Sequence, residues 1–385
     1  MVVEGGIASR SFREAEGGAE HFISVTAPGS LGFKDQIELV GKRYAEAREA
    51  LGLAPETAIF RRVFLSDVIN QAALVRESAL VVEPAASPVA VSVVQQPPLP
   101  ASKIALLAYH VEGDDIKKYR LSPKHMIVEK NGLRHLWSTR LCAGAYGASA
   151  SVDTQTWEIF GDLINTLSHN GGNLRDHCVR TWLYLKDVDV FYQGMVDSRG
   201  RLFSQHGMTK DTHYIASTGI EGACAHRFDL VLVDAYSILE LTPEQVSYLD
   251  DFDKLCATKD YNVHFERGTR IAYADRSHHF ISGTASIDNT GQVVHPGDVL
   301  KQLEHALSNV AALLRSGAAG LDDMMHLIVY LRDPPDFERI DDYLANRFPR
   351  LPMIIVQGAV CRPEWLVEIE GIAINANDEP DLPSF

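Results

Sequence analysis

The stretch "LKQLEHALSNVAALLRSGAAGLDDMMHLIVYLRD" (residues 300–333) joins an amphipathic helix, a glycine stop and a strand that ends in aromatic-Leu-x-Asp. Apolar residues recur at helical spacing in its first half, and a short apolar run leads to Asp333 in its second half. Residues 35–67 and 154–187 repeat this order, ending at Asp67 and Asp187. The three segments align without gaps, which indicates three copies of one structural unit.

The alignment extends to individual positions and to the sequence on both sides. Gln36, Thr156 and Gln302 lie at the same offset before the three aspartates. A strand-like run precedes each helix, and a weaker helix and paired strands follow it. We therefore expect units within residues 1–112, 133–240 and 277–376, joined by linkers at 112–134 and 242–270, the second of which is acidic and helical in character.

Each predicted unit has about four strands and two helices, so the helices cover one face of the sheet and leave the other face bare. Both sheet faces are apolar in sequence, which favours closure of the three bare faces around a pseudo-threefold axis. Three independent units along the chain are the alternative. The predicted fold class is α+β, arranged as an intrachain pseudo-trimer.

Composition excludes several classes of function. The 385 residues are 46% hydrophobic and 23% charged, with a net charge of −15 and no basic stripe, so a nucleic-acid partner is not expected. No apolar run approaches the ~18 residues of a membrane span, and the start lacks a signal-peptide core, so we expect a cytoplasmic protein without a membrane partner.

The sequence patterns of metal and cofactor sites are also missing. The five cysteines are scattered singly without a CxxC pair, which favours buried thiols over a disulfide framework or a zinc knuckle. The fifteen histidines include no HxH or HExxH spacing, and no glycine-rich phosphate loop is present. We therefore expect no metal and no cofactor.

The last predicted strand, "LVEIEGIAI" (366–374), places Glu368 and Glu370 on one face among apolar residues. Either this face lies at a wet edge and the acids are solubilising, or the strand is covered and the carboxylates need partners. In the gapless alignment, Leu232 of unit 2 and Ala105 of unit 1 lie opposite Glu368. Arg180 is equally specific to unit 2, because Phe60 and His326 occupy its place in the other units.

The helix–glycine–strand order, "FISGTAS" (280–286) and "LVEIEGIAI" resemble the RidA/YjgF superfamily. The resemblance implies a chorismate-mutase-like α+β unit, normally a homotrimer, with active sites in the clefts between subunits. The carboxylate-binding arginine of the superfamily's P-A-R-S motif is replaced here by Ala86, Ala216 and Ile354. Imine deamination of the usual kind is therefore in doubt.

Units 2 and 3 resemble the chorismatase branch more closely, in "VRTWLYLKDVD" (179–189), the segment from Tyr192 to Arg199, "FISGTASIDNTGQVVHPGD" (280–298) and "CRPEWLVEIE" (361–370). The resemblance implies one working cleft between units 2 and 3, with Glu368 as general acid, and unit 1 is degenerate. The substrate-binding residues that it implies are Arg180, Arg199, Arg362, Tyr192, Tyr214, Ser282, Gly283 and Cys361.

The expected function is that of a cofactor-free enzyme that hydrolyses a small anionic enol ether such as chorismate. Two alternatives are a RidA-like enamine or imine deaminase with a different carboxylate anchor, and a non-catalytic metabolite-binding protein. The superfamily's ribonuclease label conflicts with the acidic charge. The sequence is compatible with association of the pseudo-trimer into a higher oligomer.

Overall fold

The structure is a computed structural model that describes residues 6–13, 18–84, 86–144, 150–256, 258 and 263–385. Three sheets follow one another along the chain. The first has the strand order β1 (Ile7–Arg13), β2 (Ala19–Thr26), β5 (Ile104–Glu112), β3 (Ala58–Leu65), β4 (Ala90–Gln95), with helices α1 (Phe33–Leu51) and α2 (Val68–Arg76).

The second and third sheets have six strands each. The second has the order β10 (Ala216–Glu221), β9 (Cys178–Leu185), β11 (Val231–Ile238), β8 (Leu133–Leu141), β7 (His125–Lys130), β6 (Lys117–Arg120), with α3 (Val152–His169), α4 (Leu174–His177) and α5 (Val188–Gln205). The third has the order β12 (Val246–Tyr248), β13 (Gly268–Ala272), β14 (Arg276–Ala285), β17 (Val367–Ala376), β15 (Met324–Leu331), β16 (Met353–Gln357), with α6 (Val299–Ser316) and α7 (Phe337–Arg347).

The three sheets share a four-stranded core. In each core the last strand lies between the first two and antiparallel to both, and the third strand pairs parallel to the second at the edge. The predicted α+β fold of three tandem RidA-type units is therefore confirmed.

Two sequence interpretations need correction in detail: that of the stretches between the units, and that of the helix alignment. The stretches interpreted as linkers supply two further strands to each of these sheets, β6 and β7 in the second and β12 and β13 in the third, with β6 and β12 at the edge. The expected helical character of residues 242–270 is wrong, because the described part of this stretch contains a short 3₁₀ turn and strands, with no α-helix.

The second correction concerns the alignment of the helices. Gln36, Gln155 and Gln302 each accept a hydrogen bond from the backbone N–H at the start of the last strand, at 2.7, 2.7 and 2.9 Å. Thr156 instead donates to the carbonyl of Val152 within its own helix. The buried side-chain amide of Gln155, not Thr156, is therefore the equivalent of Gln36 and Gln302. Unit 2 consequently has one extra residue between this position and the aspartate at the end of the strand.

A ring of backbone hydrogen bonds closes the three units on one another. The N–H groups of Gln95, Glu221 and Gln357, which hold the same position at the end of the edge strand, donate to Ala223, Ala359 and Pro97 of the next unit at 2.8, 3.0 and 2.8 Å. Each bond is one step of a pseudo-threefold rotation. The units therefore form one closed body and not independent domains.

The bare sheet faces meet in a shared core inside this ring. Aromatic contacts join every pair of units, with centroid distances of 4.8 Å for Phe60–Trp137, 5.4 Å for Tyr236–Phe280 and 5.0 Å for Phe22–His326. The strand of Glu368 is therefore covered on both faces. In the described part of the chain, no helix combines the length and apolarity that crossing a membrane requires.

Candidate active site

Glu368 lies on β17 at the boundary between the second and third sheets, paired with Ala285 on one side and Tyr330 on the other. Its side chain is only 5% exposed and faces a cavity of about 190 Å³. The second unit contributes Tyr192, Arg199, Ser217, Thr218 and Gly219 to this cavity, and the third contributes Gly283, Ala285, Cys361, Arg362, Trp365 and Glu368. The cleft between units 2 and 3 thus contains the predicted acid.

The neighbouring Glu370 is fully engaged by all three units. Arg180 Nη2 of unit 2 donates to its Oε2 at 2.6 Å, Tyr330 of unit 3 donates to its Oε1 at 2.9 Å, and the Thr218 hydroxyl also donates to it. Arg62 Nη1 of unit 1 lies 3.6 Å from Oε1. This buried carboxylate is compensated as buried charges must be, and the wet-edge interpretation of the strand is wrong.

Glu368 has a different environment. Burial, followed by the charge of Glu370, raises its pKa to about 8, while the cations of Arg180 and Arg267 act in the opposite direction. The carboxyl therefore keeps its proton at neutral pH. Two carboxyls two residues apart thus differ: Glu370 is held by side chains of all three units, whereas Glu368 faces the cavity and keeps its proton.

Space for the Glu368 carboxyl depends on Gly283 of β14. A Cβ added at residue 283 would lie 2.4 Å from Glu368 Oε1 and 3.1 Å from Thr218 Cγ2. Such distances are shorter than van der Waals contact, so a larger residue would displace the acid. Gly283 was predicted as a pocket residue, and its absent side chain is what forms the pocket.

Arg199 is a buried cation in the wall of the cavity. It is 2% exposed, lines the cavity, and has an Nε atom without a hydrogen-bond partner. No salt bridge joins it to a carboxylate among the described residues, and burial lowers its pKa. A buried guanidinium beside a cavity is suited to binding an anion there.

Two further arginines face the same cavity. Arg362, which was predicted, lies over the Trp365 ring at 4.6 Å and donates to the Gly291 carbonyl at 2.9 Å. Arg267, which was not predicted, is 7% exposed and donates to the Cys256 carbonyl at 3.2 Å. It precedes β13 in a stretch interpreted as a linker, so no motif or repeat position identified it.

Tyr192 and Cys361, both named from the sequence, line the same cavity. Burial raises the pKa of the Cys361 thiol to about 12. The thiol therefore stays protonated at neutral pH, which favours a wall residue over a nucleophile.

Three predicted pocket residues lie elsewhere. Arg180 does not line the cavity, because its guanidinium is held by Glu370 and Thr218 behind it. Tyr214 faces a separate depression beside Tyr248, and its N–H donates to Glu266. Ser282 is buried in the junction of the sheets, where its hydroxyl accepts the Ser217 N–H at 2.9 Å and donates to the Glu266 carbonyl at 2.5 Å. The side chains of Arg180 and Ser282 thus hold the framework of the cleft, and Tyr214 lies at the other depression.

Comparisons with known proteins agree with this architecture. The family model described as Endoribonuclease L-PSP matches residues 270–375. The 3-aminoacrylate deaminase RutC of Acinetobacter baylyi is 31% identical over 96 residues, which are 24% of this chain and 76% of that protein. A RutC family protein of Pyrococcus horikoshii is 35% identical over 97 residues, with the same two shares.

A solved structure extends the likeness to most of the chain. The crystal structure of a chorismatase superposes with a TM-score of 0.60 at 19% identity, covering 83% of this chain and 93% of that one. At this identity the likeness concerns the fold. Together the similarities support an enzyme-type function on a small molecule. The chain belongs to the RidA superfamily, as a protein of three tandem units with a chorismatase-like fold.

Proposed function

We propose that the cleft between units 2 and 3 hydrolyses a small anionic enol ether of the chorismate type, with Glu368 as the general acid. The observation that carries the proposal is a buried carboxyl, whose pKa burial raises to about 8, in a cavity that buried arginines also face. General acids need a pKa near the working pH, and this one lies at about 8.

The chemistry begins with transfer of the Glu368 proton to the terminal vinyl carbon of the enol ether. The resulting oxocarbenium ion adds water, which loses a proton to the Glu368 carboxylate and forms a hemiketal. Collapse of the hemiketal breaks the bond between carbon and the ether oxygen and releases pyruvate and the ring alcohol. One water is consumed and the acid is regenerated, so no cofactor is required.

Substrate binding is assigned to the cations around the acid. Arg199 of unit 2 and Arg267 provide two buried guanidinium groups to the cavity lining, and the half-buried Arg362 provides a third. Chorismate carries two carboxylates, which need separate anchors. Several guanidinium groups in one cavity suit a dicarboxylate whose enol ether reaches Glu368.

Enamine deamination is the second candidate, favoured by the 31% identity to a protein named 3-aminoacrylate deaminase. Protonation of an enamine carbon uses the same acid, so Glu368 fits this reaction as well. Ala216 and Ile354, however, stand where the superfamily's deaminases carry a carboxylate-binding arginine, and both are buried on strands. RNA is disfavoured as a substrate by the net charge of −15.

The test compares two substrates on the purified full-length chain. Chorismate is followed by enzyme-coupled detection of pyruvate, and freshly generated 2-aminoacrylate by the excess rate of ammonia release over buffer. Pyruvate release from chorismate supports the proposal, and accelerated ammonia release alone supports the deaminase. A rise in melting temperature with chorismate, without turnover of either substrate, would overturn both proposed reactions and identify a binding protein.

A further inference from the structure

The pseudo-threefold axis generates a second cleft, between units 1 and 2, that holds a cavity of about 370 Å³. Unit 1 contributes Val68, Ala72, Val75 and Val93 to this cavity, and unit 2 contributes residues around Cys142, Cys224 and Leu232. Leu232 pairs with Tyr184 as Glu368 pairs with Tyr330, so it occupies the position of the acid. This cleft therefore lacks the chemistry proposed for the other one.

Strand register shows which residues of the second cleft stand at positions in or beside the wall of the first cavity. Leu141 pairs with Val233 as Thr284 pairs with Ile369, which places Cys142 in the position of Ala285. The match of Glu221 to Gln357 at the strand ends continues without a gap, so Cys224 replaces Val360 and Asp229 replaces Trp365. Three positions that hold apolar residues at the first cleft thus hold two cysteines and an aspartate, which are metal-ligating residue types, at the second.

The three side chains converge in space. The two sulfurs and a carboxylate oxygen all lie within 4.8 Å of one another. The Cys224 thiol lies 3.5 Å from Asp229 Oδ2 and donates a hydrogen bond to it. Asp229 is 2% exposed, and the Gly144 N–H donates to its Oδ1 at 3.1 Å, which fixes its orientation.

We propose that Cys142, Cys224 and Asp229 bind a thiophilic divalent cation of the Zn²⁺ class at the wall of this second cleft. Metal–ligand bonds of roughly 2.3 Å to sulfur and 2.0–2.2 Å to oxygen place tetrahedral ligand atoms about 3.5–3.8 Å apart, so only small shifts would bring these atoms into coordination. The proposal does not depend on the function of the other cleft.

A fourth ligand is within reach. His226 Nδ1 lies 3.6 Å from Asp229 Oδ2, and its side chain is 57% exposed, so the ring is free to turn toward the ion. With His226 the site has two sulfurs, one nitrogen and one oxygen, and without it water occupies a position open to the cavity. Soft sulfur ligands favour Zn²⁺ over Mg²⁺ or Ca²⁺.

The surrounding charges suit a site with two thiolates. Lys124 and Arg140 line the same cavity, and Lys124 Nζ lies 3.2 Å from the Cys142 carbonyl oxygen. Two thiolates and one carboxylate around a divalent ion leave a net charge of −1, which these cations offset. Nearby cations also favour the thiolate that the metal requires.

Co²⁺ is the probe for the test, because thiolate ligation gives it a charge-transfer absorption that other ligands do not. The full chain is reduced, stripped with a chelator and titrated anaerobically with Co²⁺. We expect one Co²⁺ per chain, a charge-transfer band that saturates with binding, and displacement of Co²⁺ by Zn²⁺. In Cys142→Ser the band should weaken strongly, while Asp229→Asn should bind Co²⁺ at least tenfold more weakly.

Cys178→Ser is the matched control, because Cys178 is also buried in unit 2 but lies on β9 beside the Tyr236 carbonyl. It should keep the band unchanged. The proposal is overturned if Co²⁺ gives no thiolate band, or if Cys142→Ser and Asp229→Asn bind it as the unchanged chain does. Thiol titration of metal-free protein prepared without reductant gives a second check. The proposal is equally overturned if Cys142 and Cys224 are joined there in a disulfide and reduction of that bond creates no metal affinity.

Discussion

The two clefts share one backbone arrangement but are lined by different side chains. At one β-strand position, the cleft between units 2 and 3 has Glu368 and the cleft between units 1 and 2 has Leu232. Beside it, Gly283 leaves room for the acid in the first cleft, whereas Arg140 occupies the equivalent place in the second. The fold therefore provides the cleft, and a few side chains decide what it can do.

Fusion of three units into one chain makes this difference possible. In a homotrimer every substitution appears three times around the axis, whereas here each unit varies alone. Glu370 shows the result, because its partners Arg62, Arg180 and Tyr330 come from three different units. Three equal copies of Glu370 at the axis would instead repel one another.

The largest expected effect is loss of the acid from the first cleft. Glu368→Gln keeps the side-chain volume but cannot deliver a proton in the same way, so turnover of chorismate should fall by about 10²–10⁴-fold. Glu364→Gln, an exposed glutamate of the same segment, is the control and should retain activity. Equal turnover in both variants would remove the proposed distinction between the clefts.

The next effect concerns the ion pair behind the cavity. Arg180→Met leaves Glu370 with its longer contact to Arg62, and loss of a partner from a buried ion pair costs about 3–5 kcal/mol of unfolding free energy. Arg201→Met removes an exposed pair with Asp153, which is worth about 0–1 kcal/mol. Urea unfolding of both variants measures the difference. A small loss for Arg180→Met, with substrate affinity strongly reduced, would restore Arg180 as a substrate anchor.

A smaller effect is expected from filling the gap beside the acid. Gly283→Ala places a methyl group against Glu368 and should lower turnover by up to about 10²-fold, because misplacement of a reacting group by about 1 Å has that cost. Gly161→Ala lies in α3 with nothing within 4 Å, so turnover should be unaffected and the helix slightly stabilised. Steady-state rates on chorismate make the comparison, and unchanged turnover in Gly283→Ala would contradict the placement of the acid.

The mildest test is pH. Turnover should decline as the pH rises through about 8, where Glu368 loses its proton. Because the folded chain holds this proton more tightly than the unfolded chain, its contribution to stability is full below the ordinary value of 4.5 and is lost as the pH rises through about 8. Glu368→Gln should therefore lose less stability than the unchanged chain between these values. An identical pH dependence of unfolding in both proteins would contradict the raised pKa.

Much of the fold was predictable because repeats expose it. The aromatic-Leu-x-Asp endings set the register of the central strands, and the structure places Leu232 and Ala105 opposite Tyr184 and Phe64 as Glu368 lies opposite Tyr330. The helix of unit 2 was misaligned by one residue, because helical periodicity is compatible with a shift of one position. The correct alignment is fixed by the hydrogen bond that the Leu230 N–H donates to Gln155. Strands β6, β7, β12 and β13 lie in stretches interpreted as linkers and were missed, although β7 and β13 occupy the sheet position that β1 has in the first unit.

The candidate site was predictable in part. Glu368, Gly283, Cys361, Arg199 and Arg362 were named from local motifs and line the cavity. Arg180 was expected in the same cavity, and it meets Glu370 behind it instead. Arg267 was not anticipated, since nothing in its sequence neighbourhood shows that β13 lies beside the third sheet's β14.

The amino-acid sequence by itself determined the number of units, the order of their elements and the strand that carries the acid, because these features depend on periodicity within short segments. Only the tertiary structure decided which arginines face the cavity and which acid is paired, and it alone joined Cys142 to Cys224 and Asp229. The physical reason is that these contacts join residues far apart in the chain. Their distances depend on how three sheets close around one axis, which no local pattern encodes.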